Sequence, residues 1–128
     1  MLVAIALGGA LGAPARYAVA ELVGPSSDGF PWATFWTNVI GSLALGFVLV
    51  VVLHRFPASQ YLRPFVATGF LGSFTTFSTF VVETDLLLDH GRLDLAAGYV
   101  LASLVVGLAA TALGMVAGRL VPSVDAPR

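Results

Sequence analysis

The sequence contains no cysteine and no lysine, and only 10% of its 128 residues are charged. Without cysteine the chain forms no disulfide and no thiolate metal site. Its six basic residues are scattered arginines and its net charge is -1, so it offers no basic patch to a nucleic acid. A soluble domain of this length carries roughly a quarter charged residues, and this composition therefore points to the membrane class.

The apolar residues are grouped in four long stretches. Apolar residues make up 58% of the chain, and its mean hydropathy is +0.94. A helix needs about 20 mostly apolar residues to span a bilayer. We predict an all-α membrane protein, a single membrane domain of residues 1–128, with spans near residues 1–23, 32–53, 61–88 and 93–121. The first stretch lacks a basic region and a cleavage-like site, so we expect a span there and not a signal peptide.

The arginines give only a weak preference for one orientation. With the N-terminus in the cytoplasm, four arginines are cytoplasmic and two lie toward the outside. The first group is Arg55, Arg63, Arg119 and Arg128, and the second is Arg16 and Arg92. The chain could therefore tolerate insertion both ways. Since the centre of four packed helices fills with side chains, any transport is expected to need an oligomer.

Small residues form close-packing faces on the first and fourth spans. Gly8 and Gly12 are four residues apart, and a similar face on the fourth span combines Gly107, Ala110, Thr111, Gly114 and Gly118. Such faces let helix backbones approach closely in lipid. The sequence leaves open whether they pack within one protomer or between subunits.

The third span contains an unusual stretch, "GFLGSFTTFSTF", residues 69–80. It combines two glycines, five hydroxyl side chains and four phenylalanines. In one regular helix Phe70, Phe74, Phe77 and Phe80 would share a broad face. Glycine and threonine disfavour a continuous helix, and hydroxyls compete for backbone groups. We predict that the helix breaks near residues 72–76.

A broken helix at membrane depth frees backbone groups that need a partner. Freed carbonyls suit a hard cation, whereas the positive edges of phenyl rings suit a small anion. Thr34, Asn38 and Ser42 form a polar stripe on the second span, and a stripe on the fourth contains Tyr99 and Ser103. This supply of neutral donors fits a small anion that exchanges its water stepwise, because conduction needs weak serial sites.

Simpler interpretations exist for most of these residues. The phenylalanines could be ordinary packing, Asn38 an interhelical hydrogen bond, and Arg16 a side chain that snorkels to the interface. The acidic residues near the end of the third span, from Glu83 onward, are expected to be a solvated connection and not a metal site. No nucleophile with a base, and no phosphate-binding loop, is present, so we predict that the chain is not an enzyme.

Three stretches resemble, in order and spacing, the signature stretches of the small bacterial fluoride channels, the Fluc or CrcB family. They are "GGALGAPARY" (8–17), "FPWATFWTNVIGS" (30–42) and "GFLGSFTTFSTFVVE" (69–83). The resemblance implies a fluoride-specific channel in the bacterial inner membrane that exports fluoride passively. It also implies an antiparallel, dual-topology dimer with two pores and a structural sodium ion at its centre. The second chain would be an identical copy or a sister subunit.

The resemblance also implies roles for particular residues. The backbone carbonyls of Gly72 and Thr75 would coordinate the sodium, and Arg16 would lie near an aqueous vestibule or the interface. Side chains along the fluoride path would be those of Phe77, Phe80, Asn38, Tyr99, Ser103, Thr34 and Thr79.

Three positions depart from the family pattern, and one rival function remains. Ser73, Phe74 and Gly107 stand where a glycine, an aliphatic residue and a hydroxyl are expected, which affects the width and hydroxyl supply of a pore. The rival is a small dual-topology multidrug exporter, which needs a titratable carboxylate deep in its first span. That span offers only Glu21 near its end, and its deep charge is Arg16.

Overall fold

The protein is described by a computed structural model covering residues 1–55 and 59–122. The side chain of Arg55 and the whole of Arg128, two of the arginines in the orientation count, lie outside the described part. Within it, four helical stretches are long and apolar enough to cross a membrane. The prediction of an all-helical chain with four spans is confirmed.

Three of the spans are continuous helices. They are α1 (Leu2–Val23), α2 (Trp32–Arg55) and α5 (Leu93–Leu120). In the connection before α2, the Asp28 carboxylate accepts hydrogen bonds from the Trp32 indole at 3.0 Å and from the Phe30 amide at 3.0 Å. These bonds lower the pKa of the Asp28 carboxyl, because they stabilise its ionised form.

The third span consists of three unlike segments. It begins as a π-helical segment, Pro64–Leu71, and continues as the short α3, Gly72–Phe74. In the π-helical part hydrogen bonds reach back five residues, as from the Gly72 amide to the Ala67 carbonyl. Residues 75–77 are not helical, and α4, Ser78–Asp89, completes the span. The predicted break is confirmed, although it begins at residue 75 and not at 72.

Threonine hydroxyls supplement the backbone hydrogen bonds at the break, where the Leu71 carbonyl still accepts the Thr75 amide at 3.0 Å. Thr75 has an extended backbone, with φ -76° and ψ 157°, and its hydroxyl donates to the Leu71 carbonyl at 2.8 Å. The Thr76 hydroxyl accepts the Thr79 amide at 3.1 Å, as a capping residue does at the start of a helix. The "TT" pair therefore ends one helix and begins the next.

The break divides the four phenylalanines into two pairs. Phe70 and Phe74 stack with their ring centroids 6.0 Å apart and an interplanar angle of 8°, and Phe74 is buried. Phe77 is the last residue of the break and is 77% exposed. The four rings therefore do not share the single face that one regular helix would give, because residues 75–77 leave helical geometry.

The small residues pack within the protomer. A Cβ on Gly8 would collide with the Phe65 carbonyl, and one on Gly12 with the Phe70 carbonyl. These contacts hold α1 against the π-helical segment. The sequence left open whether these faces pack within one protomer or between subunits. For Gly8 and Gly12 the structure shows packing within the protomer.

The glycines of the fourth span also pack internally. A Cβ on Gly114 would collide with the Leu43 carbonyl, and one on Gly118 would lie 2.9 Å from the Cβ of Val50. On the opposite helix, a Cβ on Gly46 would collide with the Thr111 carbonyl. These glycines join α2 and α5 into a second close pair, and the break lies where the two pairs meet.

Substitution of Gly114 by valine is expected to unfold or loosen the α2–α5 pair. The added atoms meet backbone, which cannot move aside as a side chain can. The free energy of unfolding should therefore fall by about 1–3 kcal/mol, the usual cost of overpacking. The measurement is the thermal midpoint and the size-exclusion profile of purified protein in detergent. Gly98→Val is the matched control on the same helix, because a Cβ there meets nothing within 4 Å. Equal stability of the two variants would contradict the packing described.

Candidate functional site

A cavity of about 360 Å³ lies between α2, the break and α5. Its walls include Asn38 and Ser42 from α2, Thr76, Phe77 and Phe80 from the third span, and Ser103 from α5. It therefore brings together most of the residues predicted for the anion path. Ser73 and Phe74, two of the departures from the family pattern, are not among its lining residues.

Asn38 holds the break through two hydrogen bonds. Its amide nitrogen donates to the Thr76 carbonyl at 2.9 Å, and its amide oxygen accepts the Thr76 amide at 2.8 Å. Both backbone groups of Thr76, which is buried, are thus paired at membrane depth. The amide nitrogen carries a second hydrogen, which remains for an occupant of the cavity. The main role of Asn38 is therefore to hold the backbone of Thr76, an interaction we call the clamp. Only its second amide hydrogen can be donated to an anion.

The Ser103 hydroxyl is buried without a protein partner in the described structure. A serine in a helix commonly donates to the carbonyl four residues earlier, as Thr111 does to Gly107 at 3.0 Å. Ser103 makes no such bond and borders the cavity. Burial of an unpaired hydroxyl costs free energy, so this group is suited to an occupant that accepts a hydrogen bond.

Three aromatic rings follow one another from the cavity into the core: Phe77 and Phe80 line the cavity, and Tyr99 lies behind them. The ring centroids of Phe77 and Phe80 are 6.0 Å apart with an interplanar angle of 35°, and those of Phe80 and Tyr99 are 5.1 Å apart at 52°. None of these pairs is stacked face to face, so ring edges as well as faces are presented. Tyr99 is fully buried, and Phe77 is the exposed end of the series.

Glu83 is part of the site although it is absent from the predicted residues. Its carboxylate accepts the Thr34 hydroxyl at 2.9 Å and the Tyr99 hydroxyl at 2.8 Å. The expectation that this residue belongs to a solvated connection is wrong, because α2 and α5 each provide a donor to it. The sequence contained one indication that Glu83 belongs to the site. It lies three residues after Phe80, which places both side chains on one face of α4.

Arg16 and Thr79 border a second cavity, on the other side of the break. This cavity has a volume of about 280 Å³, and Thr34, Thr37 and Thr76 also line it. Thr79 accepts a hydrogen bond from the Thr76 hydroxyl at 3.0 Å. A guanidinium among hydroxyls makes this cavity favourable for an anion. The structure thus divides six of the residues predicted for the anion path between two cavities, places Tyr99 in neither, and has Thr76 bordering both.

The carbonyls of Gly72 and Thr75 are released from the helix. The Thr76 amide, which would bond to Gly72 in a continuous helix, goes to Asn38, and the Thr79 amide goes to the Thr76 hydroxyl. The Arg16 guanidinium lies 3.5 Å from the Thr75 carbonyl oxygen. Carbonyl oxygens are ligands that hard cations prefer, and their release fits the sodium site implied by the resemblance. In the described residues no cluster of His, Asp or Glu forms another metal site.

These features define a class of protein. The chain is a small four-span membrane protein whose broken helix lies among neutral donors and aromatic rings. Among the described residues, two cavities border the break, and a buried hydroxyl at the larger one has no protein partner.

Comparison with known proteins identifies the family. Residues 3–115 match the family described as CrcB-like protein, Camphor Resistance (CrcB), and the chain belongs to this family. It is 54% identical over 121 residues to "Fluoride-specific ion channel FluC 3" of Streptomyces avermitilis, covering 94% of this chain and 59% of that protein. It is 47% identical over 115 residues to "Fluoride-specific ion channel FluC" of Paracoccus denitrificans, covering 90% of this chain and 91% of the relative. It is 44% identical over 120 residues to "Fluoride-specific ion channel FluC 1" of Mycobacterium tuberculosis, covering 94% of this chain and 91% of the relative.

The predicted family membership is therefore confirmed. A family of ion channels also confirms that the chain is not an enzyme. Together with the four apolar helices, it makes the chain a multi-pass protein of the bacterial inner membrane.

Replacement of Asn38 by alanine is expected to destabilise the break. It leaves the amide and carbonyl of Thr76 unpaired at depth, and each orphaned buried group costs about 1–3 kcal/mol. A lower thermal midpoint in detergent would measure this loss. Thr84→Ala is the control, because it removes one hydroxyl bond in the same span, 2.8 Å to the Phe80 carbonyl, without orphaning a backbone amide. An Asn38→Ala variant as stable as the control would show that the clamp is not needed.

Proposed function

We propose that this chain is a subunit of a fluoride-specific channel that lets fluoride leave the cell passively and so lowers cytoplasmic fluoride. The observation that carries the proposal is the unpaired, buried Ser103 hydroxyl, which lines the larger cavity together with Phe77 and Phe80. The names of the relatives, which describe fluoride-specific ion channels, support the choice of ion.

The chemistry of the cavity suits fluoride because the cavity offers only neutral donors and ring edges. The Ser103 hydroxyl and the free hydrogen of Asn38 can replace water at a small anion, and the edges of Phe77 and Phe80 carry partial positive charge. A fixed cation in this cavity would hold fluoride too tightly for release, whereas weak serial sites allow conduction. Among the described residues the guanidinium near the break is that of Arg16, which borders the other cavity, where it can attract an anion from water.

Export follows from the membrane potential. Neutral hydrogen fluoride enters from acidic surroundings and dissociates inside the cell. A potential that is negative inside drives an anion outward by about 2.3 kcal/mol per 100 mV. Fluoride can thus leave without a coupling ion or ATP.

We further propose that two chains assemble as an antiparallel, dual-topology dimer with two pores. The cavity wall is incomplete in one protomer, since the phenyl ring of Phe77 is 77% exposed. A second copy, or a sister subunit, would cover this ring and close each path. The weak arginine preference is compatible with insertion in both directions.

A structural sodium ion fits at the centre of this dimer. Gly72 and Thr75 would hold it through their backbone carbonyls, which the helix no longer uses. The ion would supply fixed positive charge between the two broken helices and would not be transported. Two copies of the broken helix would bring together four such carbonyls, more than one chain provides.

The multidrug exporter is disfavoured. The deep charged group of α1 is Arg16, which contacts the break. Glu83, the carboxylate that enters the bundle from α4, is already engaged by the hydroxyls of Thr34 and Tyr99. Neither group is a free carboxylate in the first span that could exchange protons for a drug cation.

Purified protein in liposomes is expected to release trapped fluoride and retain chloride when a potential is applied. Phe80→Ile should slow the release at least about tenfold, the effect of losing roughly 1.4 kcal/mol of stabilisation along the path. A fluoride electrode measures the rate. Phe47→Ile, on α2 and outside both cavities, should behave as wild type. Unchanged flux in Phe80→Ile would remove this ring from the path, and absence of fluoride release by wild type would overturn the function.

Sodium is expected to stabilise the purified protein against heat. Binding to the folded state alone adds RT ln(1 + [L]/Kd), about 2.7 kcal/mol at a hundredfold excess over Kd. The thermal midpoint should therefore rise with sodium concentration when N-methylglucamine keeps the ionic strength constant. Identical midpoints in the two salts would contradict the sodium site.

A further inference from the structure

Ser42 on α2 borders the larger cavity, and Gly107 on α5, which does not border it, lies next to Ser42. Ser42 lies four residues after Asn38, on the same face of α2, and it borders the cavity. A Cβ on Gly107 would lie 3.8 Å from the Ser42 hydroxyl oxygen. Because Gly107 has no side chain, the Ser42 hydroxyl is left uncovered on the side of α5.

The hydroxyl of Ser42 is also unused by the protein. Other hydroxyls in the spans donate to the carbonyl four residues earlier, such as Thr84 to Phe80 at 2.8 Å and Thr111 to Gly107 at 3.0 Å. The hydrogen bonds of the described residues include none from Ser42. Ser103 is likewise unpaired, so the cavity contains two free hydroxyls, one from each helix.

Each of the two helices thus provides a row of two positions one turn apart. Asn38 and Ser42 are one turn apart on α2, and Ser103 and Gly107 are one turn apart on α5. Three of the four positions carry a hydrogen-bond donor, and the fourth, Gly107, does not. The position without a donor, Gly107, is in contact distance of the Ser42 hydroxyl, since a Cβ there would lie 3.8 Å from it.

We propose that Ser42 donates a hydrogen bond to the permeating fluoride and thereby supplies, from α2, the hydroxyl that α5 lacks at position 107. This assignment rests on the proposed fluoride conduction. A neutral O–H group binds the anion without holding it permanently, as a serial site requires. The hydroxyl of Ser42 is thus a binding group of the path and not a packing feature of α2.

The test compares fluoride release from liposomes by wild type, Ser42→Ala, and Ser42→Ala combined with Gly107→Ser. Ser42→Ala should slow release roughly tenfold, the loss implied by one hydrogen bond to a charged acceptor. Gly107→Ser should restore most of the rate in the Ser42→Ala background, because it returns a hydroxyl to the same space from the opposite helix. Size-exclusion profiles and thermal midpoints of all variants establish that they are folded alike.

Gly98→Ser in the Ser42→Ala background is the matched control. It adds the same hydroxyl to the same helix where nothing lies within 4 Å, and it should restore nothing. Wild-type rates in Ser42→Ala, or equal rates with serine at 98 and at 107, would overturn the assignment while wild-type conduction leaves the proposed function standing. Absence of fluoride release by the wild-type protein would overturn both.

Discussion

The reciprocal pair of hydrogen bonds between the Asn38 side chain and the backbone of Thr76 is the constraint on which the rest of the site depends. Hydrocarbon provides no partner for an exposed peptide group, so a helix can break at depth only if another element satisfies it. A carboxamide is the one neutral side chain that can donate and accept at once with the geometry of a peptide. The clamp thus makes the break possible without a charge.

Once Asn38 takes the Thr76 amide, the other features of the break follow. The Gly72 carbonyl loses its donor, and the Thr76 hydroxyl caps α4 in place of the Thr75 carbonyl. Thr75 can then be extended, and its carbonyl turns to Arg16. One side-chain contact between helices therefore releases from the helix both carbonyl oxygens proposed for sodium, and that of Thr75 also accepts the Arg16 guanidinium.

Much of this arrangement is visible in the sequence, for physical reasons. Spans are set by length and hydropathy, which are local, and the threonine pair at 75 and 76 marks the break because hydroxyls compete with backbone bonds. The role of Glu83 is not visible, because its partners come from α2 and α5 and a carboxylate near the end of an apolar run is typically solvated. The sequence also does not show on which side of the bundle each phenylalanine lies, because the α-helical period of 3.6 residues no longer applies beyond the break.

The glycine faces show a second limit of prediction from the sequence. The sequence identifies Gly8 and Gly114 as places of close approach, but not the helix that approaches them. The structure places backbone carbonyls against both. Each pair of helices is consequently built on main-chain contact, with little room for side chains to adjust, and the cavities occupy the less tightly packed boundary between the pairs.

The widened turn of Pro64–Leu71 has a consequence for how this segment can vary. A π-helical turn accommodates one residue more than an α-helical turn, and each residue of an α-helix advances the rotation by about 100°. Loss of a single residue here would tighten the wide turn to an α-helical one and leave Thr76 opposite Asn38. Loss of a residue from α3, which has no wide turn, would instead rotate Thr76 away from Asn38 by about 100°.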